Sequence, residues 1–184
     1  PFKKAINNNL KVIMPYYGIP IDQTSENVAM AYNKDILTHL LRDDLGFEGV
    51  ICTDWGIITG RHWGVDKLNL SERYKKSIEA GVDQYGGESS PEFIIDLVKK
   101  DEISETRINY SVRKILINKF ELGLFDNPFV DESCVKDRVG TEEYIRKGLT
   151  AQKKSVVLLK NEISDDKEVL PLKKNIKIFA DGFD

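Results

Sequence analysis

Short apolar runs that end in polar or aromatic residues recur along this chain, each separated from the next by a helical pattern. No other feature narrows the fold as much. The runs are LKVIMPYY (10–17), GVICTDW (49–55) and AGVDQYGG (80–87). Between the first two, Asn33 stands where a helix cap is expected, ahead of a stripe of Ile36, Leu37, Leu40 and Leu41. Gly46 takes the place of a C-cap glycine. Ser71 is expected to open a helix through Tyr74 and Ile78 that Gly81 ends. Ser90-Pro91 is expected to open another over Phe93, Ile94, Leu97 and Val98, Pro being suited to the first helical position. Strand and helix alternating at intervals of roughly 30–40 residues is the pattern of βα units around a buried parallel sheet.

After the last run, Ile108, Val112, Ile115, Leu116 and Phe120 fall at helical spacing behind Ser104 and predict a core-facing stripe, stopped by Gly123. FDNPFVDES (125–133) reads as a turn-rich linker, and Thr141 as the cap of a helix over Ile145 and Leu149. SVVLLK (155–160) reads as extended, EISDDKE (162–168) as a charged loop, and NIKIFADGFD (175–184) as a strand with something beyond it. PFKKAINNNL (1–10) reads as an amphipathic helix already under way. Ends of this kind lead to the expectation that the sequence is a piece of a longer protein.

Composition removes several classes of function. With 27 basic and 30 acidic side chains the net charge is -3, so the concentrated positive field of a nucleic-acid binder is missing. No apolar run approaches the roughly 20 residues that span a bilayer. Two cysteines make no disulfide framework, and Cys52 reads as a small buried hydrophobe. No CxxC or Cys/His cluster points to a metal, and no motif calls for a cofactor. KKDEISE (99–105) and SDDKE (164–168) read as solvated faces.

A closed eight-stranded (β/α) barrel takes about 250 residues, so three βα units can only be part of one. In such barrels the chemistry gathers at the carboxyl ends of the strands, where Tyr16, Asp54 and Asp83 fall. Spacing alone does not choose a reaction. It leaves Asp54 open between a solvated strand-end cap and a catalytic carboxylate, and Trp55 between packing and ligand contact. Tyr16 is open in the same way between a core-edge ring and a site residue. GGESSPE (86–92), ahead of a helix N-terminus, also admits a phosphate-binding barrel, although Glu88 in the middle of that turn would repel the anion.

The segments themselves resemble a known family. GFEGVICTDW (46–55) is similar to the nucleophile segment of glycoside hydrolase family 3, where a Ser/Thr-Asp-Trp triplet ends a barrel strand. VIMPYYG (12–18) is similar to the preceding strand, NKDILTHLLRDDLGFEG (33–49) to the connecting helix, and SIEAGVDQYGG (77–87) to the following strand. RINYSVRKILINKFELGLFDNPFVD (107–131) resembles the segment closing the barrel domain. AQKKSVVLLKNE (151–162) with LPL (170–172) resembles the entry to the second domain. The likeness covers nearly the whole chain, in order.

The resemblance implies an α/β fold: the C-terminal βα units of a TIM-type (β/α)8 barrel over 1–128, a linker and helix over 129–168, and the first strand of an α/β sandwich domain over 169–184. It implies a retaining, exo-acting β-glycosidase acting on terminal β-linked sugars, with β-glucosidase expected first and β-xylosidase second. Asp54 would be the nucleophile, Trp55 would line the sugar site and Tyr16 would lie beside the nucleophile. The acid/base carboxyl would come from outside this chain, and the piece alone would be inactive. Asp83 corresponds to a structural position of the family. MPYYG (14–18) departs from the commoner pattern at that strand and leaves the sugar contacts open. Implied partners are carbohydrate, with no nucleic acid or membrane; oligomeric state is not implied. Export is common in the family. A relative that binds sugar without cleaving it also fits these residues.

Overall fold

The computed structural model describes residues 1–161, 163–164, 167–177 and 179. Of the strand expected over 175–184, residues 178 and 180–184 lie outside that set, as do 162 and 165–166 of the charged loop. The chain divides into two units, Pro1–Phe129 and Val130–Asp184.

In the first unit, the expected N-terminal helix is α1 (Phe2–Asn7), and β1 (Val12–Ile13), β2 (Val50–Trp55) and β3 (Gln84–Gly86) form one parallel sheet in that order. Val12 pairs with Val50 and Ile13 with Ile51; Cys52 pairs with Gln84 and Trp55 with Gly86, with a shift of register between the last two. Parallel neighbours need long crossovers, and these are helical, so the unit is of the α/β class. β1 is shorter than the 10–17 run, because the chain leaves the ladder at Met14-Pro15. Among the described residues β1 and β3 each have a single neighbour.

The crossover from β1 to β2 carries a π-helix, Asp35–Asp44. Asn33 caps it as expected, its Oδ1 accepting from Ile36 N at 3.1 Å, and Gly46 leaves it at φ +69°. Leu37 and Leu41 are buried against Phe47, Ile51, Ala80 and Val82 on one face of the sheet. Leu40 remains exposed. From β2 the chain passes through a short helix α2 (Ile57–Gly60) to α3 (Leu70–Ala80). Ser71 does not cap α3. Asn69 does, in a reciprocal box with Glu72: its Oδ1 accepts from Glu72 N, while Glu72 Oε2 accepts from Asn69 N. Tyr32, Ile57, Ile58, Tyr74, Ile78 and Leu97 make the larger core beneath α3 and α4 (Pro91–Lys99).

α5 (Glu105–Glu121) starts at the expected Ser104 cap, but its predicted stripe is not its buried face. Ile108 and Ile115 are half-buried, whereas Val112, Leu116 and Phe120 are exposed, and Phe120 packs on Phe125 at 4.4 Å. The side of α5 that meets the sheet is polar, because it carries Arg107, Ser111 and Lys114. Lys114 donates to the Glu48 carbonyl.

Those residues surround Asp83, whose carboxylate is wholly buried. Its Oδ2 accepts from Arg42 Nη2 at 2.6 Å and from Ile51 N at 3.0 Å, and its Oδ1 from Ser111 Oγ at 2.7 Å. Arg107 Nη1 lies 3.8 Å from Oδ1, while its other nitrogens donate to the carbonyls of Ile78 and Val82. Burial lowers the pKa of Arg107, and the charge of Asp83 opposes that shift. One carboxylate thus joins the π-helix, β2, the entry to β3 and α5.

The second unit holds a 3₁₀ turn (Glu132–Cys134), α6 (Val135–Arg138) and α7 (Glu142–Ser155). Thr141 caps α7 as predicted, accepting from Tyr144 N at 3.3 Å. The 156–160 stretch has no regular secondary structure. Within the expected charged loop, β4 (Ile163–Ser164) pairs antiparallel with β5 (Lys167–Glu168), so that stretch is partly strand. No helix among the described residues is long and apolar enough to cross a membrane.

Removing one partner of a buried, hydrogen-bonded charge network leaves the others unpaired, so Asp83→Ala should cost about 3–5 kcal/mol. Ser111→Ala removes a hydroxyl that donates to the Asp83 carboxylate and accepts from the Arg107 guanidinium, and should cost about 1.5–3 kcal/mol; denaturant titration of the two variants tests the ratio. The Tyr74 hydroxyl is buried and its pKa is pushed up to about 12, by burial first and then by the charge of Glu88. Burial also raises the hydroxyl pKa of Tyr32 and Tyr85. A folded pKa above the unfolded value of 10.0 means that this stability is intact below pH 10 and falls as pH rises toward 12. Melting temperature should drop over that window, and less steeply in Tyr74→Phe.

Candidate active site

β2 stays inside through Val50, Ile51 and Thr53 and comes to the surface only at its carboxyl end, where Asp54 and Trp55 stand. The alternation of a strand explains the handover: Thr53 points inward and Asp54 outward. Thr53 Oγ1 accepts from Gly86 N at 2.9 Å, and Gly56 N donates to the Gly86 carbonyl at 3.1 Å. These bonds hold β3 against β2 across the register shift, so the strand end is fixed before any ligand arrives.

The Asp54 carboxylate is 23% exposed. Its Oδ1 accepts from Trp55 N at 2.6 Å, and its Oδ2 lies 3.4 Å from Arg61 Nη1. Arg61 follows α2 directly, its N–H bonding the Ile57 carbonyl at 3.1 Å. The same Nη1 lies 3.4 Å from the Trp55 carbonyl, and the guanidinium sits 5.1 Å from the centre of the Tyr17 ring. One oxygen of Asp54 is therefore anchored by backbone and the other faces a cation and solvent.

Trp55 is 68% exposed, with its indole laid over the end of β3. A Cβ on Gly86 would come within 2.7 Å of the ring, and one on Gly87 within 2.8 Å of Cγ. Gly87 also sits at φ +67°, a conformation that other residues adopt only at a cost. Two glycines thus form the bed on which the indole rests. Glu88 then turns back toward α2, and its Oε1 accepts from Ile58 N at 2.9 Å, Thr59 N at 3.1 Å and Thr59 Oγ1 at 3.3 Å. The loop after β3 in this way closes the turn that carries Arg61.

Of the residues singled out by sequence, Asp54 and Trp55 stand together at the strand end. Tyr16 is 59% exposed and stacks on Tyr17 at 4.7 Å, along one end of an apolar groove between β1 and the π-helix. The groove is lined by Ile13, Met30, Leu37 and Leu41 and holds about 310 Å³. Tyr16 makes no hydrogen bond to Asp54. Tyr17, for which the sequence suggested no role, lies under Arg61 and meets Trp63 edge-on at 5.3 Å. Sequence reasoning also passed over Arg61 and the inward Thr53, and read Glu88 only as a charge within its own turn. Only the Gly86-Gly87 pair, beside a Trp one strand away, offered a signal for any of them. Asp83 is the buried carboxylate of the sheet and not part of this surface. His39 pairs with Asp35 on the outside of the π-helix, and Cys52 is half-buried with its thiol pKa raised by burial. Among the described residues no three His, Cys, Asp or Glu side chains come together as metal ligands would.

A parallel βα layer with its polar and aromatic groups gathered at the carboxyl ends of the strands belongs to the α/β folds that bind ligands at that edge. Comparison gives the family. Residues 1–117 match the glycosyl hydrolase family 3 N terminal domain, and the chain belongs to that family. It is 45% identical over 196 residues to "Probable beta-glucosidase C" of Aspergillus flavus, an alignment covering 100% of this chain and 30% of the relative. It is 33% identical over 210 residues to the "Periplasmic beta-glucosidase/beta-xylosidase" of Dickeya chrysanthemi, covering 99% of this chain and 31% of the relative. Among solved structures, a beta-glucosidase involved in saponin metabolism from intestinal bacteria superposes with a TM-score of 0.71 at 28% identity. That match covers 88% of this chain and 21% of the other. The chain thus spans about 30% of the length of the curated relatives.

The glycine bed can be tested directly. Gly87→Ala places a methyl against the indole and forces a non-glycine residue to positive φ, which should cost about 1–2 kcal/mol. The Trp55 emission maximum should move with it, whereas Gly60→Ala, where a Cβ meets nothing, should leave emission unchanged.

Proposed function

We propose that the whole protein carrying this chain is a retaining, exo-acting β-glucosidase of family 3, with Asp54 as its nucleophile and Trp55 as a wall of the sugar site. The observation that carries the reading is the state of Asp54. It is a carboxylate at a strand end, with one oxygen held by the adjacent backbone N–H and the other open to solvent beside a guanidinium. A short side chain so held can reach an attack distance of about 3–3.5 Å. In the reaction, an Asp54 oxygen bonds the anomeric carbon as the glycosidic C–O bond breaks, and the leaving oxygen takes a proton from a second carboxyl. Water then attacks the same carbon, gives its proton to that carboxyl, and the ester electrons return to Asp54. We place the second carboxyl outside these residues. The exposed Trp55 face suits the C–H face of a β-linked sugar, and Tyr16 borders the same end of the sheet.

In this reading residues 1–128 are the closing βα units of a TIM-type barrel, 129–168 a linker and helix, and 169–184 the start of an α/β sandwich domain. The sequential parallel order of β1, β2 and β3 supports the first of these. β-Xylosidase activity is the second reading, favoured by the double name of the Dickeya relative. Export from the cytoplasm accords with the word periplasmic in that name. The phosphate-binding alternative is weakened by Glu88, whose fixed carboxylate keeps negative charge in the turn where the anion would sit.

The test is an intact mass of the whole protein after exposure to a 2-fluoro-β-glucoside with an activated leaving group. One added fluoroglycosyl group on the peptide containing Asp54 is expected, and none in Asp54→Asn, which should also lose at least about a thousandfold in turnover. Binding of glucoside without any label would move the assignment to a non-catalytic sugar binder.

A further inference from the structure

Arg61 lies where the reaction would feel it, and three contacts fix it there. The guanidinium rests on Tyr17 at 5.1 Å, Nη1 lies 3.4 Å from the Trp55 carbonyl, and the backbone N–H closes the α2 turn that Glu88 braces. The same Nη1 lies 3.4 Å from Asp54 Oδ2, too long for a tight ion pair and close enough for its charge to act. Trp55 N holds the opposite oxygen at 2.6 Å, so Asp54 does not need Arg61 to keep its place. We propose that Arg61 is a positioning residue whose charge promotes the departure of Asp54 from the glycosyl-enzyme, and so speeds the second half of the reaction more than the first.

This role of Arg61 rests on the nucleophile reading of Asp54 and on the sign of one charge. As the ester forms, the carboxylate loses its negative charge and the attraction to Arg61 weakens. As water displaces Asp54, the ester C–O bond breaks, the electron pair returns to the carboxylate and the attraction is restored. A fixed cation therefore opposes the first step slightly and assists the second, because only an interaction that strengthens toward the transition state accelerates a step. A side chain that merely held the loop would affect both steps alike.

The experiment compares whole-protein wild type, Arg61→Gln and Arg61→Lys on an aryl β-glucoside with an activated leaving group, whose first step is fast. In Arg61→Gln, kcat should fall about tenfold, the effect of losing roughly 1.4 kcal/mol from one barrier. KM should fall with it, kcat/KM should stay within about threefold, and a pre-steady-state burst of aryl alcohol should grow. Arg61→Lys should recover part of kcat while unfolding at the wild-type temperature. Parallel losses in kcat and kcat/KM, no growth of the burst, or no recovery with Lys would each overturn the proposal. Wild-type 2-fluoro-glucoside labelling, run alongside, separates the two failures. A label on Asp54 with no change in Arg61→Gln removes the Arg61 role alone, whereas no label on Asp54 removes both.

Discussion

Much of the first unit turns on the charge buried at Asp83. Its carboxylate has no access to solvent, and its oxygen contacts come from three parts of the chain: Arg42 from the π-helix, the Ile51 amide from β2, and Ser111 and Arg107 from α5. A carboxylate taken out of water must find such donors, or the fold that buries it is lost. The demand explains two features that hydrophobicity alone does not. α5 presents a polar face to the sheet, and the π-helix ends with Arg42 reaching over Phe47 and donating to the carbonyls of Phe47 and Gly49. The apolar clusters on either side supply the bulk of the burial, while Asp83 sets how the elements meet.

The candidate site sits at the opposite extreme. Trp55 and Arg61 are exposed and Asp54 is partly so, and the strand end that carries them is held by short backbone bonds. Thr53 and Gly56 fix the strand end from below, while Glu88 fixes α2 from the side. Two carboxylates thus do contrasting work in neighbouring loops. Glu88 uses one oxygen on three donors of a turn, while Asp54 turns one oxygen toward solvent and the Arg61 guanidinium. The proposed nucleophile role requires a group held only on the side that does not react.

How much of this was legible in the sequence follows from what each feature depends on. The caps Asn33, Ser104 and Thr141 and the stops Gly46, Gly81 and Gly123 were readable because they act within a few residues of themselves. The β2 run ending at Asp54 was readable for the same reason. The α3 cap was misread because Ser71 and Asn69 both satisfy the local pattern, and only the reciprocal Glu72 bond decides between them. The stripe Val112, Leu116 and Phe120 has helical spacing but faces outward, since the opposite side of α5 is drawn in by Asp83. Arg61, Tyr17 and the bonds Glu88 makes to the α2 turn were invisible because their partners stand on other loops or strands, a relation that no periodicity encodes.

The π-helix has a consequence for the length of the chain. With bonds reaching one residue further than in an α-helix, each of its turns stores additional backbone. Its two ends are pinned, at Asn33 by a side-chain cap and at Gly46 by a left-handed turn. The segment therefore acts as a gusset between fixed seams. Losing a single residue between Lys34 and Leu45 would tighten the coil toward ordinary α geometry, so indels should collect here in preference to β2.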